Sequence, residues 1–298
     1  MPLDQLATNL VRDVPAGEVP VSRIVTRATA KDSSHEAFAR RRRRLAETAL
    51  GVVVVPVSLL ALWQFAAVRG WIDARFYPPP TDILSSAGDL IADGTLWAET
   101  WISAQRILWG FAIGSVAGIV VGLLMGTMLW LRAAFEPLLD ALYTIPKLAV
   151  LPIFITMFGI GDAPKIAVIA VTVFFFVWIA TMAATISVAI GYREAAMTFQ
   201  ATRLQMFRHV IVPAATPEIF VGLRIGAGVS VLLLVASESV VGNDGLGHLI
   251  FNSRAVFLNE QMFVGIVTVS LLGVFFSSLI KWVGRLMTPW SSTGSSRR

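Results

Sequence analysis

Cysteine is absent from these 298 residues, which excludes a disulfide framework, a thiolate metal site and a cysteine nucleophile. Charge is scarce: 14% of residues are charged, against roughly 25% in soluble domains. The three histidines, His35, His209 and His248, are scattered and show no metal-ligand spacing. No G-x-x-x-x-G-K-[ST] loop occurs, which argues against an ATP site in this chain. No G-x-S-x-G and no convergent acid pair marks an enzyme, so no catalytic residue, metal ligand or cofactor is assigned. A net charge of +5 would suit nucleic acid. The positive residues instead flank apolar runs, as in a membrane protein, and nucleic acid is not expected as a partner.

What is abundant is hydrophobic sequence, 56% of residues, with a mean hydropathy of +0.73. A bilayer core of about 30 Å needs roughly 20 apolar residues per helix. Six runs meet that length, at about 48–68, 103–129, 138–158, 166–190, 219–241 and 262–286. The expected fold is all-α and polytopic, with six transmembrane helices. Arg40 to Arg44 form a five-arginine block before the first run and place the N-terminus in the cytoplasm. An even number of spans returns the C-terminus, with Lys281, Arg285, Arg297 and Arg298, to the same side. The connection 69–100 falls outside, with two basic residues against five acidic ones.

The expected domains are residues 1–44, a basic cytoplasmic segment too poor in apolar residues to pack; 45–290, the membrane domain; and 291–298, a cytoplasmic tail. In the outer connection, Thr81 or Asp82 is expected to cap a helix through about Ala92. Ile83, Leu84, Ala87, Leu90 and Ile91 would form its apolar side.

Gly110, Gly114, Gly118, Gly122 and Gly126 recur every four residues on the second run. Each step advances about 400°, so the row winds slowly round the helix. Small residues at this spacing bring helix backbones close; the contact is either static or one that slides. Lys147 follows Pro146 within the third run, at a depth of about 14 Å. A cation there needs a partner or a watery cavity, so it either lines an anion pathway or pairs with a carboxylate or helix carbonyls. Glu238, before Gly242-Asn243-Asp244-Gly245-Leu246-Gly247, reads as a cap or interhelical pair, with substrate contact as the second reading. Phe174, Phe175, Phe176 and Trp178 read as packing or lipid-facing residues, with a hydrophobic gate as the alternative.

Between the fourth and fifth runs lies a polar segment, 192–217, far longer than a mere connection requires. It opens Arg193-Glu194-Ala195-Ala196, keeps a helical rhythm through Gln200, Ala201, Arg203 and Phe207, and ends at Val212-Pro213 and Pro217. This segment resembles the cytoplasmic "EAA" loop of ABC importer permeases. The likeness extends over about 45–290. It takes in Pro78-Pro79-Pro80, the glycine row, Pro146-Lys147-Leu148-Ala149-Val150-Leu151-Pro152 and Phe158-Gly159-Ile160-Gly161. It also takes in Gly222-Leu223-Arg224-Ile225-Gly226 and Thr288-Pro289-Trp290. Together these are similar to the taurine, aliphatic-sulfonate and nitrate group.

The resemblance implies a type I (MetI-like) permease fold in a bacterial inner membrane. It implies a small anionic solute such as a sulfonate or nitrate, a second permease copy forming a homodimer, and lipid around the pair. It further implies ATPase subunits that carry ATP and Mg and grip the loop, and an extracytoplasmic binding protein that delivers substrate. Arg193, Glu194, Ala195, Ala196, Gln200, Ala201, Arg203, Phe207 and Pro213 would be the coupling residues. The family has glycine where Gln200 stands, so the turn there is expected to bend differently or to let the helix run on. A secondary transporter or channel would show an internal repeat and mid-membrane ion-coordinating acids; neither is clear. A membrane enzyme would show convergent catalytic residues, and none is apparent.

Overall fold

The structure is a computed structural model, and it describes residue 51 and residues 53–290. The arginine block, the expected segment 1–44, the start of the first run and the tail 291–298 lie outside the described residues. The chain divides into two units after Ala61. In the first, residues 53–61 are apolar helix, the opening part of α1 (Val53–Val68). The second unit begins at Leu62 and holds the rest of α1 and every later helix.

The elements after α1 are all helical. They are α2 (Pro80–Ala92), α3 (Thr95–Thr127), α4 (Leu129–Tyr143), a 3-10 turn (Lys147–Val150), α5 (Leu151–Phe158) and α6 (Asp162–Ile186). Then come α7 (Ile190–Thr198), α8 (Arg203–Met206), a π-turn (Phe207–Ile211), α9 (Val212–Val240), α10 (Leu246–Ala255) and α11 (Asn259–Met287). No strand occurs among the described residues. Four helical stretches are long and apolar enough to cross a membrane: α3, α6, α11 and the run Arg203–Val240 that contains α9. The bent pair α4–α5 makes a fifth crossing if counted as one span.

The core is the seam of α3, α6 and α9. Gly110 lies against Ile169, Gly118 against Phe174 and Val177, and Gly126 against Thr185. Both numbers climb together, so α3 and α6 run parallel. A chain that leaves α3 at Thr127 must recross before Asp162, and α4–α5 makes that return. α9 is antiparallel to α6, with Gly222 on Ala180 and Gly226 near Val173 and Val177. α11 is antiparallel to α9, with Gly273 near Val231 and Gly284 on Phe220. Ile107, Ile169, Val173, Val177, Ala227 and Leu234 fill the seam. Outside it, Trp109, Val116, Leu232, Leu271, Val274 and Phe275 are exposed, an apolar surface that only a bilayer or another apolar partner suits.

The structure departs from the sequence-based expectation at two places. The third run is no continuous helix: α4 and the segment Lys147–Phe158 meet at 90°. Pro146 has no N–H to donate and disfavours helical geometry at Ile145, so the chain breaks there. The outer helix starts earlier than expected, at Pro80, with Pro79 rather than Thr81 or Asp82 as N-cap and no side-chain cap of its own. Gln64 of α1 serves instead: its Oε1 accepts from Thr81 N at 3.2 Å and its Nε2 donates to Thr81 Oγ1 at 3.1 Å. On α2, Leu90 is buried and Ile83 and Ala87 half-buried, while Leu84 and Ile91 are exposed. Trp178 is fully buried; its Nε1 donates to Met125 Sδ at 3.2 Å, and Phe174 stacks on it.

Candidate functional site

Two polar assemblies stand at opposite ends of the α3–α6–α9 seam. The first centres on Arg106, one-third of the way along α3 and 2% exposed. Its Nη1 donates to Glu238 Oε1 at 2.7 Å and to Asp244 O at 3.1 Å. Its Nε donates to Asp162 Oδ1 at 2.8 Å, and its Nη2 to Asp244 Oδ1 at 2.5 Å. One guanidinium thus ties α3 to the first residue of α6, the end of α9 and the loop before α10. Lys165 of α6, also 2% exposed, lies 3.5 Å from Asp244 Oδ1. The Arg106 guanidinium, followed by Lys165, holds the Asp244 carboxyl below its ordinary value against the opposing effect of burial.

Glu238 is the most enclosed charged member at 1% exposure. Besides Arg106 it accepts from Ser103 Oγ at 2.9 Å and Gly247 N at 2.8 Å. Leu246 N donates to Ser103 Oγ, and Gly245 N to Glu99. The Gly-Leu-Gly turn wraps this carboxylate. Gly245 has φ +99, and a Cβ there would overlap the Glu238 carboxylate, so only glycine lets the loop close. The geometry is that of an interhelical ion pair. Asp162 and Asp244 keep half-open faces, lining a depression of about 460 Å³ with Lys165. Sequence reasoning points to Glu238 and misses Arg106, Asp162, Lys165 and Asp244. A signal for the first of these exists: an arginine inside an otherwise uncharged apolar run demands a partner.

The second assembly is the 192–217 loop. α7 ends in a Schellman motif: Ala201 N donates to Ala196 O at 3.0 Å and Gln200 N to Met197 O at 2.8 Å. Gln200 takes φ +55, so the left-handed turn expected of glycine is made by glutamine, and the helix does not run on. A capping box then starts α8: Thr202 N donates to Gln205 Oε1 at 2.8 Å, and Gln205 N to Thr202 Oγ1 at 3.3 Å. The Thr-x-x-Gln pattern is the sequence signal for that start. Arg193 Nη2 donates to Thr185 O at 2.9 Å, tying α7 to the last turn of α6.

Glu194, Ala195 and Arg203 are exposed; Ala196, Ala201, Phe207 and Pro213 are half-buried. Ala195, Ala196 and Pro213 line a groove of about 600 Å³ with Tyr192, Phe199 and Trp290. Around it, Ile190, Phe199 and Leu204 project at 72%, 85% and 74% exposure. The loop does not stop at Pro213. Pro213 cannot donate to His209 O, and the helix widens into the π-turn just before it, with Val212 N bonded to Phe207 O. α8, the π-turn and α9 therefore form one helical run.

Lys147 caps the broken third span. Its Nζ donates to Leu142 O at 3.1 Å, Tyr143 O at 2.6 Å and Ile145 O at 2.8 Å, carbonyls at the C-terminal end of α4 where the helix breaks. It also stands 4.5 Å from the Phe175 ring centroid. No cluster of His, Asp or Glu able to hold a metal occurs among the described residues.

Residues 114–289 match the family model described as binding-protein-dependent transport system inner membrane component. The putative aliphatic sulfonates transport permease protein SsuC of Escherichia coli K12 is 32% identical over 80% of this chain and 90% of its own length. The taurine transport system permease protein TauC of the same organism is 31% identical over 78% and 86%. The nitrate import permease protein NrtB of Leptolyngbya laminosa is 29% identical over 84% and 96%. Among solved structures, an inward-facing MetNI methionine ABC transporter superposes with a TM-score of 0.56 at 21% identity, over 64% of this chain and 94% of its own, a likeness of fold. The chain is a multi-pass inner-membrane transport permease and belongs to the binding-protein-dependent transport system inner membrane components, in the aliphatic-sulfonate, taurine and nitrate group of ABC importer permeases.

Proposed function

We propose that this chain forms the translocation pathway of an ATP-driven importer for a small anionic solute, a sulfonate, nitrate or similar. The 192–217 loop is the surface that grips a separate ATPase carrying ATP and Mg. In this reading α1 and the bent pair complete six spans, both termini are cytoplasmic, and two copies pair. The Arg106 end faces the extracytoplasmic binding protein. The loop carries the reading: Phe199 and Leu204, with Ile190 just before it, stand exposed on a polar segment whose turns are fixed by a Schellman motif, a capping box and the Arg193 tie. Rigid apolar side chains ringed by charge are what a protein groove binds well. Lys147 we assign to bracing the broken span and Glu238 to the interhelical ion pair, since their polar atoms are engaged there.

Glu194→Lys and Phe199→Ser test the docking role. Both residues are exposed and outside the helix seam, so the protein should stay folded in the membrane. Copurification of the ATPase and substrate-stimulated ATP hydrolysis in vesicles should each fall at least tenfold for the pair. Unchanged values for both would reject the loop as the coupling surface. Uptake driven by an ion gradient without ATP would instead favour a secondary transporter.

A further inference from the structure

Arg224 of α9 and Lys281 of α11 are cations with no hydrogen-bond or ion-pair partner among the described residues. Both are exposed, and both line one groove of about 460 Å³ between these helices, with Phe220, Val221, Ile225 and Ile280. Arg224 stands 12 residues into α9, about 18 Å along it, and Lys281 six residues before the end of α11, about 9 Å. Gly284 on Phe220 and Gly273 near Val231 set the register of α9 and α11, which places Arg224 and Lys281 at nearly the same level in the groove they share. A cation within an apolar helix is costly unless something compensates it, and two like charges in one groove repel. No carboxylate lines the groove. Glu218, six residues before Arg224, lies about 240° round the helix from it.

We infer that Arg224 and Lys281 form an oxyanion site inside the membrane domain. It takes the sulfonate- or nitrate-type group of a solute in transit, or the phosphate of a lipid headgroup. The planar guanidinium offers two parallel donors to such a group, and the ammonium supplies a point charge beside it. Only the identity of the oxyanion carried rests on the transport reading.

Thermal unfolding of the full chain in nanodiscs tests it. In purely zwitterionic lipid, methanesulfonate or nitrate should raise the wild-type midpoint by a few degrees above chloride at equal ionic strength. Arg224→Gln and Lys281→Gln should each lose most of that rise, and Arg224→Lys should keep part of it. Midpoints in chloride show whether each variant folds. A rise that instead needs phosphatidylglycerol, and that the glutamine variants lose, assigns the site to the headgroup. Glutamine variants that keep the wild-type rise, or a wild type that responds in neither arm, would overturn the site. Vesicles containing the ATPase that bind anion yet take up none would overturn the transport reading and leave the site standing.

Discussion

Arg106 is a charge that its helix cannot hold alone. Removing it leaves Glu238 buried with only Ser103 and Gly247 as donors. Breaking one side of a buried pair costs about 3–5 kcal/mol, whereas replacing both sides by apolar groups is often neutral. Arg106→Met should therefore lower folded yield and unfolding temperature sharply. Arg106→Met with Glu238→Met should recover much of the loss, limited by the orphaned Gly247 N–H and by Asp162 and Asp244. Unfolding midpoints of the two singles and the double decide it, and a strictly additive double would remove the pair from the account. The helical position of Arg106 is legible in the sequence, because it interrupts an apolar run. Its partners are not: they come from α6, α9 and the loop before α10, 56 to 138 residues away. Only tertiary packing brings them together. Gln200 shows the opposite failure, since a local rule favouring glycine is overridden by two backbone bonds that define the turn.

At the scale of helices, the glycine row lies on the α3–α6 seam, and the effect of filling it can be measured. A Cβ at Gly118 would fall 2.8 Å from Phe174 O and 2.9 Å from Val177 Cβ. Gly118→Leu should prise α3 from α6 and destabilise by at least the roughly 1–3 kcal/mol typical of overpacking. Gly88→Leu, on α2 with nothing within 4 Å of its Cβ position, is the matched control and should be close to neutral. Equal midpoints for the two would mean that the α3–α6 seam yields. The existence of α3, α6 and α11 is readable from apolar length alone. The shape of the third span is not, because apolar length carries no information on continuity. Pro146 marks the break, and Lys147, conspicuous in sequence for its charge, engages the carbonyls that the break exposes. The continuous run from Arg203 into α9 is likewise hidden by Pro213, because proline starts a helix as readily as it ends one.

The molecule as a whole has two polar ends and no cysteine, so its orientation can be read with single introduced thiols. Ser85 is exposed on α2, at the Arg106 end, and Arg208 is exposed in the π-turn at the other. With the proposed topology, Ser85→Cys should react with a membrane-impermeant maleimide in cells whose outer envelope alone is opened. Arg208→Cys should react only after the inner membrane is breached. The reverse pattern would invert the topology and detach the 192–217 loop from any cytoplasmic ATPase. The sequence offers a sidedness through the clustering of arginine and lysine. It offers no substrate, because the cations that bear on it, Arg224 and Lys281, lie on different helices and become neighbours only in the fold.

The run from Arg203 to Val240 is 38 residues of unbroken helix, about 57 Å of rod. Leu204 projects from one end and Glu238 is clasped at the other. On the proposed coupling role, such a rod is a mechanical linkage. A push delivered at Leu204 travels the thickness of the bilayer as displacement, diminished only by what the π-turn and Pro217 absorb in bending. It arrives at the carboxylate that holds Arg106, the guanidinium that ties α3 to α6 and to the loop at Asp244. If the loop grips an ATPase as proposed, a stroke made where nucleotide is spent loosens a clasp on the far face without any messenger in between.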